Sequence, residues 1–156
     1  KVAALWQKQD CVLPCTPKGI IKMLKRAGVE IKGKRAVVIG RSNIVGKPMG
    51  KLLLNEHCNV TTLHSRTTRE DMEFYISHAD IIVVAVGRAN FLDDSFKYKK
   101  NAVIVDVGIN RIDGVLVGDA KKDLPVLLQT PVPGGVGLLT RLNLLMNLLE
   151  AYENEI

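Results

Sequence analysis

The chain of 156 residues lacks long apolar runs, and its three cysteines form no metal-binding or disulfide pattern. No uninterrupted apolar stretch approaches the roughly 18 residues that a membrane-spanning helix requires. Cys11, Cys15 and Cys58 show no Cys-x-x-Cys spacing, and their odd number does not fit a disulfide framework. The sequence therefore offers no membrane segment and no structural zinc site, and a reducing compartment fits it best.

Several catalytic patterns are also missing. The chain has no nucleophile elbow and no Cys–His motif. His64 stands at a strand end without a carboxylate partner, and such a histidine is more often structural or cofactor-adjacent than a general base. The chain starts at Lys1 without a Met or a secretory leader, which is typical of the interior of a longer chain. We therefore assign no catalytic residue to the 156-residue chain.

The formal net charge is +6, and its distribution decides which partners it predicts. The basic residues are scattered, except for a cluster at Lys97–Lys100 that includes one tyrosine. A cluster of this size is more often the solvated end of a loop than a nucleic-acid patch. The charge therefore predicts neither a nucleic-acid nor a membrane partner, and it is compatible with anionic small molecules.

Helical and strand patterns alternate from residue 16 onward, which is typical of βαβ units. The first helix is predicted at about 17–27, with Thr16 as its cap and Gly28 after its end. Further helices are predicted from about Pro48 through Leu54, over 70–78 and over 138–152. Strands are predicted at 35–39, 59–63, 80–86 and 102–107, with a short edge strand at 115–117. The pattern indicates an α/β fold of the Rossmann type, with a doubly wound and mostly parallel sheet.

Residues 37–48, with the sequence VVIGRSNIVGKP, predict a phosphate-binding turn between a strand and a helix. Gly40 lets the backbone leave the strand sharply, and Gly46 lets a diphosphate approach without a Cβ in the way. The helix N-terminus supplies free N–H groups and a positive dipole. Because the spacing is not Gly-x-Gly-x-x-Gly, a tight connection with two structural glycines is the alternative.

The end of the second strand, His64-Ser65-Arg66-Thr67, indicates which nucleotide the turn would hold. In dinucleotide-binding folds an Asp or Glu at this place selects the free 2′-OH of NAD. This chain instead has a hydroxyl beside a guanidinium, which suits a 2′-phosphate. Arg41 is either a second positive group for that phosphate or a surface arginine in a solvated turn. The pattern favours NADP over NAD.

Two later features have both a functional and a structural interpretation. Asp106 and Asp119 each have two interpretations: the side chain faces the cleft, or it caps a turn. Turn capping is the better interpretation for both. In the segment TPVPGGVG at 130–137, two prolines stiffen the chain while three glycines permit close contact by a flat ligand. A plain rigid loop is the alternative for this segment.

The last predicted helix, 138–152, has an apolar face broad enough for two neighbours. Its stripe consists of Leu138, Leu142, Leu145, Leu149 and Tyr152. The sheet accounts for one neighbour, and we expect a missing domain or a second subunit to be the other.

Five segments of the chain occur in the order known from one enzyme family: PCTPKG at 14–19, VVIGRSNIVGKPM at 37–49, HSRT at 64–67, VDVGIN at 105–110 and TPVPGGVG at 130–137. Together they resemble the methylenetetrahydrofolate dehydrogenase/methenyltetrahydrofolate cyclohydrolase family over nearly the whole chain. The resemblance implies the Rossmann-type cofactor domain of an enzyme that uses NADP to oxidise 5,10-methylenetetrahydrofolate to 5,10-methenyltetrahydrofolate. The same enzyme would hydrolyse that product to 10-formyltetrahydrofolate, as a homodimer at full length, in the cytoplasm or alternatively in mitochondria.

The resemblance also implies roles for individual residues. Gly40, Arg41 and Ser42 would hold the diphosphate and phosphate region of the cofactor. Ser65 would contact the 2′-phosphate, and Ile109 would lie against the nicotinamide side. The folate site would be lined by Pro133, Gly134, Gly135, Val136 and Gly137. No metal is implied.

The family's catalytic lysine lies in a Tyr-x-x-x-Lys motif of an N-terminal domain, and this chain contains no such motif. Its three tyrosines are followed four residues later by Ala79, Ala102 and Ile156. Residues 1–10 would then end that domain or connect to it, 11–137 would form the NADP-binding domain, and 138–156 would form an interdomain helix. Leu138-Leu139-Thr140 stands where the family usually has Pro-Met-Thr.

Two other functions remain open at this point. One is a non-catalytic nucleotide-binding or interaction module, in which the Leu-rich helix forms a permanent interface. The other is a different Rossmann oxidoreductase that acts on small acids, which does not easily account for TPVPGGVG. A Tyr-x-x-x-Lys motif upstream in the complete reading frame would favour the folate enzyme over the module.

Overall fold

A five-stranded parallel sheet organises residues 15–132, the part of the chain that the computed structural model describes. Three helices occur there: α1 Cys15–Arg26, α2 Gly46–Asn55 and α3 Arg69–His78. The strands are β1 Arg35–Ile39, β2 Asn59–Leu63, β3 Ile81–Val84, β4 Val103–Asp106, β5 Asn110–Ile112, β6 Val115–Val117 and β7 Leu128–Gln129. The sheet order is β2-β1-β3-β4-β7 with every pair parallel, and β5 and β6 form a separate antiparallel hairpin.

The central strands are buried on both faces, as their continuous apolar runs predict. Val38, Val83 and Val105 belong to the core under α1 and α2. Their neighbours in sequence, Ile39, Val84 and Ile104, belong to a second core that includes Met72 and Ile76 of α3. Because successive side chains of a strand point to opposite faces, helices cover both sides of the sheet. The predicted doubly wound Rossmann-type fold is confirmed.

The predicted strands at 35–39 and 59–63 coincide with β1 and β2. The predicted strand at 80–86 is longer than β3, because the N–H groups of Val86 and Gly87 bond to the Asp119 carboxylate instead of to a strand. The strand at 115–117 exists but pairs with β5, so it is not an edge of the main sheet. The sequence interpretation missed β5 and β7, which have three and two residues.

The helices begin slightly earlier than predicted. α1 starts at Cys15 and α2 at Gly46, each two residues before the predicted position. α3 starts at Arg69, and Thr68 caps it by accepting the Asp71 N–H at 3.2 Å. The predicted helix at 138–152 lies outside the described residues. The same holds for residues 1–10, which are predicted to end the N-terminal domain or connect to it.

Two residues of the basic cluster at Lys97–Lys100 form hydrogen bonds within the fold. The Lys99 ammonium bonds to the Asp80 carboxylate at 2.6 Å, and the Tyr98 hydroxyl donates to the Asp93 carbonyl at 2.7 Å. The ammonium of Lys99 and the Arg35 N–H lower the pKa of Asp80, although its partial burial acts in the opposite direction. Lys99 thus ties the loop after β3 to Asp80, which directly precedes that strand, whereas the Tyr98 bond lies within the loop. Within residues 15–132, no helix is long and apolar enough to cross a membrane.

Candidate functional site

A cavity of about 550 Å³ lies at the carboxyl ends of β1, β2 and β3. β1 is the middle strand of the three, and the chain continues from it in opposite directions along the sheet, to β2 and later to β3. Ligands of open α/β sheets bind at such a switch point. The lining residues are Ile39, Gly40, Arg41, Ser42, His64, Ser65, Thr67, Arg69, Met72, Ala85, Val86, Arg88, Phe91 and Phe96. The cavity therefore brings together four of the predicted cofactor residues: Gly40, Arg41, Ser42 and Ser65.

The turn between β1 and α2 depends on both of its glycines. Gly40 has a φ of +120°, and a Cβ there would overlap the carbonyl group of Ala85. A Cβ on Gly46 would overlap the carbonyl of Gly40 and the Cα of Arg41. The sequence predicts that Gly46 gives a diphosphate room to approach, but the side on which Gly46 lacks a Cβ faces the backbone of the turn itself. Its role is to let the turn fold back tightly, which shapes the cavity mouth indirectly.

Ser42 organises the start of α2. Its Oγ accepts hydrogen bonds from the N–H groups of Val45 at 3.2 Å and Gly46 at 3.3 Å, and its carbonyl accepts from Lys47 at 2.9 Å. The hydroxyl proton of Ser42 stays available, because the hydroxyl uses only its acceptor capacity here. Ser42 can therefore donate to an anion at the mouth of the cavity while its oxygen holds the helix start.

The end of β2 presents Ser65 on a short turn. The His64 N–H donates to Thr67 Oγ1 at 2.9 Å, and the Thr67 N–H donates to the His64 carbonyl at 3.0 Å. The Nδ1 atom of His64 accepts from the Arg66 N–H at 3.2 Å. His64 thus stabilises the turn, in agreement with a structural or cofactor-adjacent role. Ser65 is exposed and lines the cavity, whereas Arg66 is exposed outside its lining.

The lining residues of the cavity carry positive charge without negative charge. Arg41, Arg69 and Arg88 contribute to the wall, and no Asp or Glu is among the lining residues. Within residues 15–132, Arg41 forms no ion pair, so its charge remains available to a ligand. The start of α2 offers its dipole but not the free N–H groups that the sequence predicted, because the N–H groups of residues 45–47 bond to Ser42. A guanidinium beside a serine hydroxyl at the positive end of a helix is an arrangement that binds phosphate groups. The geometry and charge of these residues fit a dinucleotide.

Asp119 holds the wall of the cavity that follows β3. Its Oδ2 accepts from the N–H groups of Val86 at 2.8 Å and Gly87 at 2.9 Å, and its Oδ1 accepts from Arg88 at 3.0 Å. The Asn110 side-chain amide also donates to Oδ1, at 2.9 Å. Asp119 is fully buried. It caps a turn, as the sequence interpretation preferred, and it does not face the ligand space.

Asp106 supports Asp119 from behind. Its carboxylate accepts from the N–H groups of Gly108 at 2.9 Å, Asp119 at 3.0 Å and Ala120 at 2.9 Å. Burial raises the pKa of Asp106, and the three backbone donors only partly oppose that effect. A Cβ on Gly108 would overlap the Asp119 carboxylate, and one on Gly118 would overlap that of Asp106. The two aspartates therefore form a closely packed, backbone-binding unit.

The remaining predicted residues lie apart from this cavity. Ile109 is exposed after β4 and does not line it. Of the loop at 130–137, only Thr130, Pro131 and Val132 are described; they line a second cavity of about 580 Å³. Residues 133–137, predicted to line a folate site, lie outside the described residues. Among the residues 15–132, no group of three or more His, Cys, Asp or Glu side chains could hold a metal ion.

Sequence reasoning missed the part of the wall formed by Arg69, Arg88, Phe91 and Phe96. Arg69 opens α3, and the other three follow β3, so they meet only through the fold. The signal that was available is the position of Arg88 directly after Gly87, at the end of a strand that neighbours β1.

Comparisons with known proteins agree with this geometry. Residues 14–156 match the family described as tetrahydrofolate dehydrogenase/cyclohydrolase, NAD(P)-binding domain. The chain is 53% identical over 148 residues to the bifunctional protein FolD of Halalkalibacterium halodurans. The matched region covers 92% of this chain and 51% of that relative. The chain therefore spans about half the length of the curated relatives that it matches.

Solved structures show the same likeness. The crystal structure of the bifunctional enzyme FolD from Campylobacter jejuni superposes with a TM-score of 0.93 at 41% identity, over 99% of this chain and 56% of that one. The Trypanosoma brucei methylenetetrahydrofolate dehydrogenase-cyclohydrolase, solved with NADP cofactor and inhibitor, superposes with a TM-score of 0.90 at 36% identity, over 99% and 56%. The chain belongs to the tetrahydrofolate dehydrogenase/cyclohydrolase family, whose NAD(P)-binding domain it matches.

Proposed function

We propose that this chain is the NADP-binding domain of an enzyme that oxidises 5,10-methylenetetrahydrofolate and hydrolyses the 5,10-methenyl product to 10-formyltetrahydrofolate. The observation that carries the proposal is the cavity at the ends of β1 and β2, where Arg41 and Ser65 meet without a carboxylate. NADP would accept the hydride in this reaction. The names of the relatives describe bifunctional enzymes, which favours the enzyme over a non-catalytic module or an oxidoreductase of small acids.

Different residues of the chain would then bind different parts of the cofactor. The turn from Gly40 to Ser42 would hold the diphosphate, with the Ser42 hydroxyl as a donor. Ser65 and Arg41 would bind the 2′-phosphate, since both are exposed in the cavity and Arg41 forms no ion pair with a described acidic residue. We retain Ile109 beside the nicotinamide and 133–137 at the folate as parts of this proposal. Holding the two reactants together would make hydride transfer effectively intramolecular.

The preference for NADP gives a direct test at Ser65. The chain is expected to bind NADP more tightly than NAD in calorimetric titrations. Ser65→Asp should weaken NADP binding by about 100-fold or more, because a carboxylate would repel the 2′-phosphate and occupy its place. The same variant should bind NAD at least as well as before, since an acid at this position accepts the ribose hydroxyl. Ser65→Ala serves as the control and should lose only about tenfold for NADP. Equal affinity of the unmodified chain for both dinucleotides would contradict the assignment.

The reaction itself is tested by measuring 5,10-methylenetetrahydrofolate oxidation on this chain and on the full-length protein. We expect activity in the full-length protein and essentially none in the 156-residue chain, because no catalytic base is identified among its residues. NADP titration of both samples separates loss of chemistry from loss of binding. Equal activity in the two would mean that the catalytic group lies within this chain after all.

We also propose that the full-length protein is a homodimer located in the cytoplasm. The exposed apolar side chains of Ile112 and Val115 on the β5–β6 hairpin support an association surface. Cys58 is a free thiol, and free cysteines without a disulfide pattern are typical of a reducing compartment.

A further inference from the structure

Arg69 is held in one orientation at the side of the cavity. Its Nε donates to Glu73 Oε1 at 2.9 Å, and its Nη2 donates to the Ser95 hydroxyl at 2.7 Å. The guanidinium carbon lies 3.9 Å from the centroid of the Phe96 ring. The side chain therefore reaches from the start of α3 to the loop after β3 and is fixed by contacts on both.

The charge of Arg69 is already compensated, unlike that of Arg41. Glu73 pairs with Arg69 one helical turn away, whereas Arg41 forms no ion pair with a described residue. A compensated guanidinium attracts a phosphate less strongly than a free one. What Arg69 offers to the cavity is mainly its flat, polarisable surface, since planar guanidinium groups stack on aromatic rings.

The position of Arg69 in the cavity agrees with this distinction. The β1–α2 turn marks the diphosphate end, and Ser65 at the end of β2 marks the ribose. The rest of the cavity is the pocket between α3 and the loop after β3. It is lined there by Arg69, Met72, Val86, Arg88, Phe91 and Phe96. This part is mostly apolar, and Arg88 lies over the Phe91 ring at 5.4 Å. Such a lining suits a purine base, which binds by stacking.

We propose that Arg69, backed by Phe96, is a positioning residue for the purine base of the dinucleotide. It sets the affinity that NADP and NAD share, while Ser65 and Arg41 set the preference between them. The proposal rests on the proposed function, because it assumes that the cavity holds a dinucleotide.

Calorimetric titrations of the Arg69→Ala chain with four ligands test the proposal: NADP, NAD, 2′,5′-ADP and nicotinamide mononucleotide. We expect about tenfold weaker binding of the first three, with the ratio of NADP to NAD affinity unchanged, and no change for nicotinamide mononucleotide. Arg69→Lys keeps the charge but not the plane, so it should lose nearly as much. Ser95→Ala removes the hydrogen bond that Arg69 donates to the Ser95 hydroxyl, together with the one that this hydroxyl donates to Asp93, and should lose two- to threefold for both dinucleotides.

Arg111→Ala is the matched control, because Arg111 is exposed on β5 and does not line the cavity. It should bind all four ligands like the unmodified chain. A loss confined to NADP and 2′,5′-ADP in Arg69→Ala would overturn the proposal and make Arg69 a 2′-phosphate ligand. Unchanged binding by Arg69→Ala, or full NADP and NAD affinity of Arg69→Lys, would also overturn it. If the unmodified chain binds neither NADP nor NAD, the proposed function fails first, and the two failures are thus distinguished.

Discussion

Replacing Asp119 by asparagine is expected to lower the free energy of unfolding by about 3–4 kcal/mol. Each carboxylate oxygen of Asp119 accepts two hydrogen bonds, from Val86 and Gly87 on one side and from Arg88 and Asn110 on the other. Whichever way the new amide is oriented, its NH₂ group faces two donors. The side chain is fully buried, so water cannot replace the lost acceptor.

Urea unfolding followed by circular dichroism measures this loss, which corresponds to a fall in melting temperature of about 10 °C for a domain of this size. Asp94→Asn is the matched control, because Asp94 is exposed and its ion pair with Lys121 lies at the surface. That change should cost less than about 0.5 kcal/mol. A similar small effect in both variants would show that Asp119 is not a structural acceptor.

Gly46→Ala is expected to weaken NADP binding by more than about 100-fold and to destabilise the fold by about 2–4 kcal/mol. The added Cβ would overlap the backbone of Gly40 and Arg41, and backbone atoms cannot move aside as a flexible side chain can. The turn would have to open, which displaces Arg41 and Ser42 together.

Gly50→Ala provides the matched control four residues further along α2. A Cβ on Gly50 would meet only Val60 Cγ1 at 3.8 Å and Thr62 Oγ1 at 3.9 Å, which are ordinary contacts. Since alanine favours a helix interior over glycine, this variant should be more stable by about 0.5–1 kcal/mol and bind NADP normally. Thermal unfolding and calorimetry of both variants are the measurements. If Gly46→Ala bound NADP normally, the tight turn would not be required for the site.

The parts of the fold that were predictable from sequence are those fixed by local pattern. β1 and β3 are mainly apolar runs, so burial and length identify them, although Ala85 and Val86 continue the apolar run beyond the end of β3. β5 and β7 escaped because their sequences, Asn-Arg-Ile and Leu-Gln, are short and mix polar with apolar residues, whereas the equally short β6 is the fully apolar run Val-Leu-Val. The pairing of β6 was missed for a related reason, since its partner β5 was not recognised.

The cavity was predictable only in part. Gly40, Arg41, Ser42 and Ser65 follow strand ends, and parallel strands bring their carboxyl ends to one edge. Arg69 could not be assigned, because its place depends on Ser95 and Phe96, more than 25 residues away. Gly46 was identified as essential for a different reason than the observed one. Only the three-dimensional turn reveals that its neighbour is backbone rather than ligand.

Asp106 and Asp119 together connect the walls of the two cavities. Asp119 bonds to the wall of the first cavity, while Asp106 lines the second and bonds to the Asp119 N–H. No flexible side chain separates these groups, so a displacement on one side must break backbone hydrogen bonds or carry the other side with it. The facing walls of the two cavities are therefore joined by a continuous set of hydrogen bonds from backbone N–H groups to buried carboxylates, not by side chains that can change rotamer independently.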